Sequence, residues 1–203
     1  MNPLVAIITP TYKQDINVLI QNIKTVEWQT YPNILHIICH DGPWINVPEE
    51  LEWRGIFSNT PERTNSYGAG VRQFVLDTFI KNLPEVKYLL HLDDDNVIFP
   101  SFVEEHVKEL EADKEIDFTI CKIIHNGPLP ANFGSPPKII SGIPPVFKNI
   151  DTLQVIVRKE AMMKCGWTCY TGNEGYCNDG YTYERLGKMF KWKEIPKLLG
   201  IHL

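Results

Sequence analysis

The chain carries no basic cluster. Its 20 Lys and Arg stand against 25 Asp and Glu, a net charge of −5 with no run of basic residues. That argues against nucleic acid as a partner. It has no C-x-x-C pair either. The five cysteines (Cys39, Cys121, Cys165, Cys169, Cys177) are odd in number and irregularly spaced. The pattern argues against a cysteine zinc site and favours free thiols in a reducing compartment over disulfides. No segment approaches the roughly 18 consecutive apolar residues of a membrane span. The opening Met1-Asn2-Pro3 shows neither the basic nor the long apolar stretch of a signal peptide. A cytoplasmic location is therefore expected, unless a further part of a longer chain anchors it. Internal repeats and low-complexity segments are also missing.

What is present suits a globular domain: 43% hydrophobic and 22% charged residues over 203 positions, enough for a full core. The most informative stretch is Tyr88-Leu89-Leu90-His91-Leu92-Asp93-Asp94-Asp95-Asn96-Val97-Ile98-Phe99-Pro100. An apolar run of this length reads as a buried strand. It ends in three carboxylates, which repel one another unless a cation lies among them. Mg²⁺ or Mn²⁺ would take a few protein oxygens and the rest from phosphate and water, so a metal–diphosphate site is one reading. The other is a solvated acidic turn. Ser101 with Glu104 then opens a helix as a capping box.

The first half alternates strand and helix. Leu4–Ile8 is a strand ending in Thr9-Pro10-Thr11-Tyr12. Asp15 caps a helix whose apolar face is Ile16, Leu19, Ile20, Ile23 and Val26. Ile34–Cys39 is a strand ending in His40-Asp41-Gly42-Pro43, and another strand lies near Gly55–Ser58. Gly68–Asn82 is a helix with Val71, Phe74, Val75, Thr78 and Phe79 on one face. This alternation implies a mostly parallel sheet with helices on both faces. Ligands then bind beyond the carboxyl ends of the strands. Thr9–Tyr12, Asp41 and Asp93–Asp95 all converge there.

The second half is less regular. Asp117–Ile124 and Thr152–Val157 read as strands, with a short strand at Ile139–Ile140 inside a Pro/Gly-rich loop. Helices follow at Arg158–Cys165 and Asp179–Phe190, separated by a long Gly/Tyr/Cys loop. Trp192–Ile195 and Leu198–Ile201 close the chain as two strands.

In this order the signals resemble glycosyltransferase family 2 of the GT-A fold. They are Thr9-Pro10-Thr11-Tyr12, Asp41, the helical Arg72, the D-x-D run Asp93-Asp94-Asp95, Asn178-Asp179 before a helix, and a closing strand ending near His202. The resemblance covers about residues 4–203. Two departures stand out: Val71-Arg72-Gln73 replaces the family's Ala-Arg-Asn, and Asn178-Asp179 replaces its Glu-Asp.

The resemblance implies a three-layer α/β/α sandwich around a mostly parallel mixed sheet. It implies one domain over 1–203, with a Rossmann-like nucleotide-sugar half (about 1–100) and a smaller acceptor half (about 101–203). The implied activity is metal-dependent, inverting transfer of a hexose-type sugar from a nucleoside diphosphate sugar, UDP-sugar foremost, to a glycan or other hydroxyl acceptor. Thr9, Pro10, Thr11, Tyr12, Asp41, Arg72, Asp93 and Asp94 would hold the donor. Asp95, Asp93 and His202 would hold Mn²⁺ or Mg²⁺, and Asp179 would be the general base. Each has a plainer reading: an Asx-turn at Asp41, a solvated helix residue at Arg72, a helix-terminal acid at Asp179 with Asn178 as N-cap, a packing or surface His at 202. Trp167, Tyr170 and Tyr176 would stack on a sugar or simply pack.

Two rivals remain at this level. Asp93-x-Asp95-x-Val97 also resembles the haloacid-dehalogenase phosphohydrolase signature, with Asp93 as nucleophile. That motif normally lies on the first strand. The other rival is a non-catalytic nucleotide-sugar-binding module. A nucleotidylyltransferase would carry a Gly-rich loop after the first strand, and none is there.

Overall fold

The structure is a computed structural model that describes residues 2–43, 51, 55–127 and 137–203. Much of the loop read between Asn126 and Pro145 lies outside the described residues. One mixed sheet runs in the order β3-β2-β1-β4-β8-β6-β9-β5, with β7 also paired to β6. The strands are β1 (Leu4–Thr11), β2 (Ile34–His40), β3 (Ile56–Asn59), β4 (Val86–His91), β5 (Val97–Ile98), β6 (Phe118–His125), β7 (Lys138–Ile140), β8 (Val155–Arg158) and β9 (Trp192–His202). The long ladders β1–β2, β1–β4 and β6–β9 are parallel, and the antiparallel ones are short.

Alternation along the strands sorts side chains into two layers. Ala6, Ile8, Leu89, Val155, Val157, Phe118 and Ile120 face helices α2 (Ala69–Thr78), α4 (Lys159–Cys165) and α5 (Asn178–Met189). Val5, Ile7, Tyr88, Leu90, Ile156, Cys121 and Ile123 face α3 (Phe102–Ala112) and the end of α1 (Ile16–Glu27). Leu19 and Ile23 of α1 pack on Ile38. The expected three layers are therefore there.

Several local expectations change. β1 runs through Thr11 and so includes Pro10. The Asp41 amide bonds to Thr11 O and the Leu92 amide to Ile8 O, so alternate β1 residues bond to β2 and β4. Pro10, lacking an N–H, falls on the β4 side past the last β4 pair at Ile8–His91. The capping box at Ser101 does not form. Instead Gln29 accepts the Val103 amide at 3.0 Å, and Glu104 accepts the Thr30 hydroxyl at 2.7 Å. α2 buries Ala69, Arg72, Val75 and Leu76 together with Val71, and leaves Thr78 exposed. A positive charge therefore occupies a face that an apolar pattern search skips. Thr152–Gln154 is a 3-10 turn capped by Asp151 rather than the start of a strand. The two closing strands are one: β9 passes Pro196 through a register irregularity against β6.

Candidate active site

β4 delivers Asp93, Asp94 and Asp95 to the carboxyl end of the parallel strands. The turn that follows is pinned from behind by Asn22 of α1. Its amide donates to Asp93 O at 2.8 Å and Asn96 O at 2.9 Å. Asn22 is buried among the apolar positions of α1, and that lone amide in a helix's buried face is the sequence signal that would have found it.

The three carboxylates fan out. Asp93 pairs with Arg72, whose guanidinium is buried and also lies over Trp167, 4.8 Å from the ring centroid. Asp94 accepts from Gln14 Nε2 at 3.1 Å. Burial, opposed by the Thr11 hydroxyl and followed by the Asp93 charge, pushes the Asp94 carboxyl up to about 6. Asp95 is also raised, by burial first and then by Asp93, while His202 pulls it back and Asp151 adds to the rise. An acid held up by neighbouring carboxylates is one that a cation would relieve. In chemistry these acids suit a divalent ion, for which Asp93, Asp95 and His202 would supply oxygen and nitrogen donors. Among the described residues, however, the group whose donor atoms all lie within 4.8 Å of one another is His125, Asp151 and His202.

Arg72 is placed by Gly68, which precedes α2 with φ +82°. A Cβ at Gly68 would come within 2.9 Å of both Arg72 Nη1 and Pro10 Cγ. The backbone therefore has to approach there without a side chain. Asp41 is buried and its Oδ1 accepts the Thr64 amide at 2.6 Å. The tie spans 23 residues, so this carboxylate anchors the loop after β3 rather than closing a local turn. The Arg63 guanidinium lies 3.8 Å over the Tyr12 ring, with His40 on the same ring at 5.7 Å. Thr9 is turned inward. It is fully buried and its hydroxyl is 2.9 Å from His36 Nε2, which leaves it a support for the strand.

Asp179 sits in the first turn of α5, half-buried. Burial, together with the charges of Asp151 and Asp93, raises its carboxyl to about 7, against a smaller lowering by the Gly180 amide and Arg72. The N-cap is Cys177, not Asn178. Asn178 is buried and spends its side chain on tertiary bonds: Oδ1 accepts the Tyr170 amide at 2.9 Å, and Nδ2 donates to Tyr170 O at 2.9 Å and Ser66 O at 3.1 Å. Trp167 packs against His91 and Tyr183 and is buried, so it is a core residue. Tyr170 and Tyr176 are exposed, Tyr176 meeting Tyr67 edge-on at 5.9 Å.

His202 ends β9. Its Nδ1 lies 2.9 Å from Asp151 Oδ2, and its ring stacks on His125 with centroids 4.1 Å apart. Burial lowers its proton affinity, but Asp151 and the more distant Asp93 and Asp95 overcome this and raise it to about 9. Neither Asp151 nor His125 stands out in sequence, because each is an isolated residue outside any motif and the two lie 26 positions apart. Among the described residues no helix is long and apolar enough to cross a membrane.

No protein-family model matches this chain, and no curated protein does. Solved structures do. TarS from S. aureus superposes with a TM-score of 0.70 at 12% identity, over 98% of this chain and 36% of TarS. The 1-349 form of TarS in complex with UDP-GlcNAc superposes at 0.69 and 12% identity, over 98% of this chain and 58% of that one. The mannosyltransferase PcManGT from Pyrobaculum calidifontis, in complex with GDP-Man and Mn²⁺, gives 0.65 at 13% identity, over 99% and 57%. The fold is GT-A. This GT-A chain spans roughly a third to three fifths of the length of these structures. In it the aspartate run follows β4, the fourth of the described strands in sequence, which is flanked by β1 and the antiparallel β8. The first-strand placement that the phosphohydrolase signature needs is not met.

Proposed function

We propose that this chain is a metal-dependent, inverting glycosyltransferase that moves a sugar from a nucleoside diphosphate sugar to an acceptor hydroxyl. The observation that carries the reading is the run Asp93, Asp94 and Asp95 just after β4, with Arg72 paired to Asp93, Gln14 bonded to Asp94, and the charge of His202 felt at Asp95. The likeness to structures holding UDP-GlcNAc or GDP-Man with Mn²⁺ supports it. A uridine donor is the first choice from the family resemblance of the motifs, and GDP is the alternative that the likeness to PcManGT raises.

Thr11, Tyr12 and Asp41 line the nucleotide end, with Pro10 fixing the strand's exit. The second carboxylate oxygen of Asp41 accepts from a base N–H. Asp94 faces the donor beside Thr11 and Gln14. Arg72 exchanges part of its pairing with Asp93 for the diphosphate, to which its guanidinium fork is matched. Mn²⁺ or Mg²⁺ held by Asp93, Asp95 and His202 would offset the charge of the departing diphosphate. Asp179 takes the proton from the acceptor hydroxyl as its oxygen attacks the anomeric carbon opposite the leaving group. A carboxyl raised to about 7 is well matched to that task near neutral pH. The exposed Tyr170 and Tyr176 border the acceptor side. Residues 1–203 act as one domain, about 1–100 for the donor and about 101–203 for the acceptor, within a longer protein in the cytoplasm.

A thermal-shift panel of UDP- and GDP-sugars with Mn²⁺ or with EDTA tests this. A ligand at about 100 times its dissociation constant stabilises the folded state by about 2.7 kcal/mol. A melting point raised by a nucleotide sugar with Mn²⁺ and not with EDTA is the expected result. No shift with any donor would remove the reading.

A further inference from the structure

The end of the β6–β9 ladder holds a group that the proposed donor chemistry does not need in full. His125 and His202 are the last residues of their strands and are register partners in a parallel pair. Their rings lie nearly parallel, 10° apart. Asp151 reaches them from the turn before β8. Its Oδ2 is 2.9 Å from His202 Nδ1 and 3.9 Å from His125 Nε2. One donor atom from each of the three residues lies within 4.8 Å of the other two. Donors bound about 2.0–2.2 Å from one ion stand roughly 3–4 Å apart, so the spacing is close to that of a bound set, and tilting the stacked rings out of parallel would turn both nitrogen lone pairs toward a common ion.

The group is sheltered. His125 is 8% exposed and Asp151 7% exposed. The Nδ1 of His125 makes no hydrogen bond of normal geometry among the described residues. Asp151 is held from behind, its Oδ1 accepting the Leu153 amide at 2.9 Å. Gly127 closes over the rings: a Cβ there would sit 3.0 Å from His202 Nε2 and 3.4 Å from His125 Cε1. The absent side chain keeps space beside the imidazoles.

We propose that His125, Asp151 and His202 form a divalent-metal site that the protein fills by itself, before any nucleotide arrives. Two imidazoles and one carboxylate suit a borderline ion such as Mn²⁺, Co²⁺ or Zn²⁺, whereas Mg²⁺ and Ca²⁺ favour oxygen donors. His202 belongs to this set and feels the charges of Asp93 and Asp95, so the resident ion lies beside the donor site; while it holds His202, the ion that meets the diphosphate would be left to Asp93 and Asp95. That last point rests on the proposed transferase reading. The binding itself does not.

The test is calorimetry on chelator-stripped full chain without nucleotide, using Zn²⁺, Mn²⁺ and Mg²⁺ alone. One Zn²⁺ or Mn²⁺ per chain, with Mg²⁺ far weaker, is the expected result. His125→Asn and Asp151→Asn, the latter keeping the oxygen that accepts the Leu153 amide, should each weaken Zn²⁺ by at least about tenfold. Losing merely an outer-shell partner already costs about 10–100-fold. His125→Cys, which restores a ligand, should bind Zn²⁺ better than His125→Asn, and a purely structural histidine would not give that order. Unchanged affinity in both Asn variants, or no ion bound without nucleotide, overturns the site. A parallel arm adding UDP and GDP with Mn²⁺ then separates the two ideas: nucleotide-dependent Mn²⁺ binding keeps the transferase reading, and its absence removes that as well.

Discussion

Replacing Asp179 by Asn should make the protein slower and, above neutral pH, more stable. In the folded chain burial and two neighbouring carboxylates raise this carboxyl from 3.8 to about 7. The folded state therefore holds the proton more tightly than the unfolded state does. The stability this contributes is fully present below about pH 4. It is lost progressively as pH rises to about 7, and the loss stays constant above that. At about 1.36 kcal/mol per tenfold change in proton affinity the full loss is about 4 kcal/mol. The neutral amide of Asn avoids it. Urea unfolding of both proteins in EDTA, at pH 5 and pH 8, should show the variant's advantage growing with pH by a few kcal/mol. On the kinetic side a general base contributes about 10²–10⁴ in rate, so turnover should fall by that factor while donor affinity holds. In the parent protein, kcat/KM should rise with pH through about 7 as the base loses its proton. A stability difference that does not vary with pH, or full turnover in the variant, would refute the assignment.

Other residues give narrower expectations. Asp41→Ala should weaken nucleotide binding by about 1–3 kcal/mol, the range for a buried partner left unpaired, as read by calorimetry with free UDP or GDP. Arg72→Lys should cost about 1.5–3 kcal/mol in donor affinity, the scale of a hydrogen bond to a charged group, because Lys lacks the fork that meets Asp93 and a diphosphate. Asn178→Ala removes three hydrogen bonds between α5, Tyr170 and Ser66. At roughly 1 kcal/mol each it should lower stability by about 2–4 kcal/mol in urea titrations. A melting curve equal to the parent's would leave those bonds without consequence.

The strands, helices and their alternation were legible because hydrophobic period reports burial, and burial is what the sheet and helices share. β1, β2, β4 and α1 fall close to where their apolar runs place them. The aspartate run was legible because three adjacent charges at the end of an apolar strand are costly without a ligand or a counter-charge. What stayed hidden is what depends on contacts far apart in sequence. Asp151 and His125 meet His202 only because β6, β8 and β9 assemble side by side. Asn22 supports a turn 71 residues away. In sequence Arg72 reads equally as a solvated helix residue, and the fold buries it and pairs it with Asp93. The capping box at Ser101 failed for a related reason: Gln29 from a neighbouring element reaches the helix amide first.

The most direct measurement of the central claim is an NMR time course of the protein with Mn²⁺ and nucleotide sugars, with simple hydroxyl acceptors or water receiving the sugar. The account predicts release of the nucleoside diphosphate and a first-formed sugar product with the anomeric configuration opposite to the donor's, abolished by EDTA. A retained configuration, or no turnover of any nucleotide sugar beside steady hydrolysis of a simple phosphate ester, would contradict it.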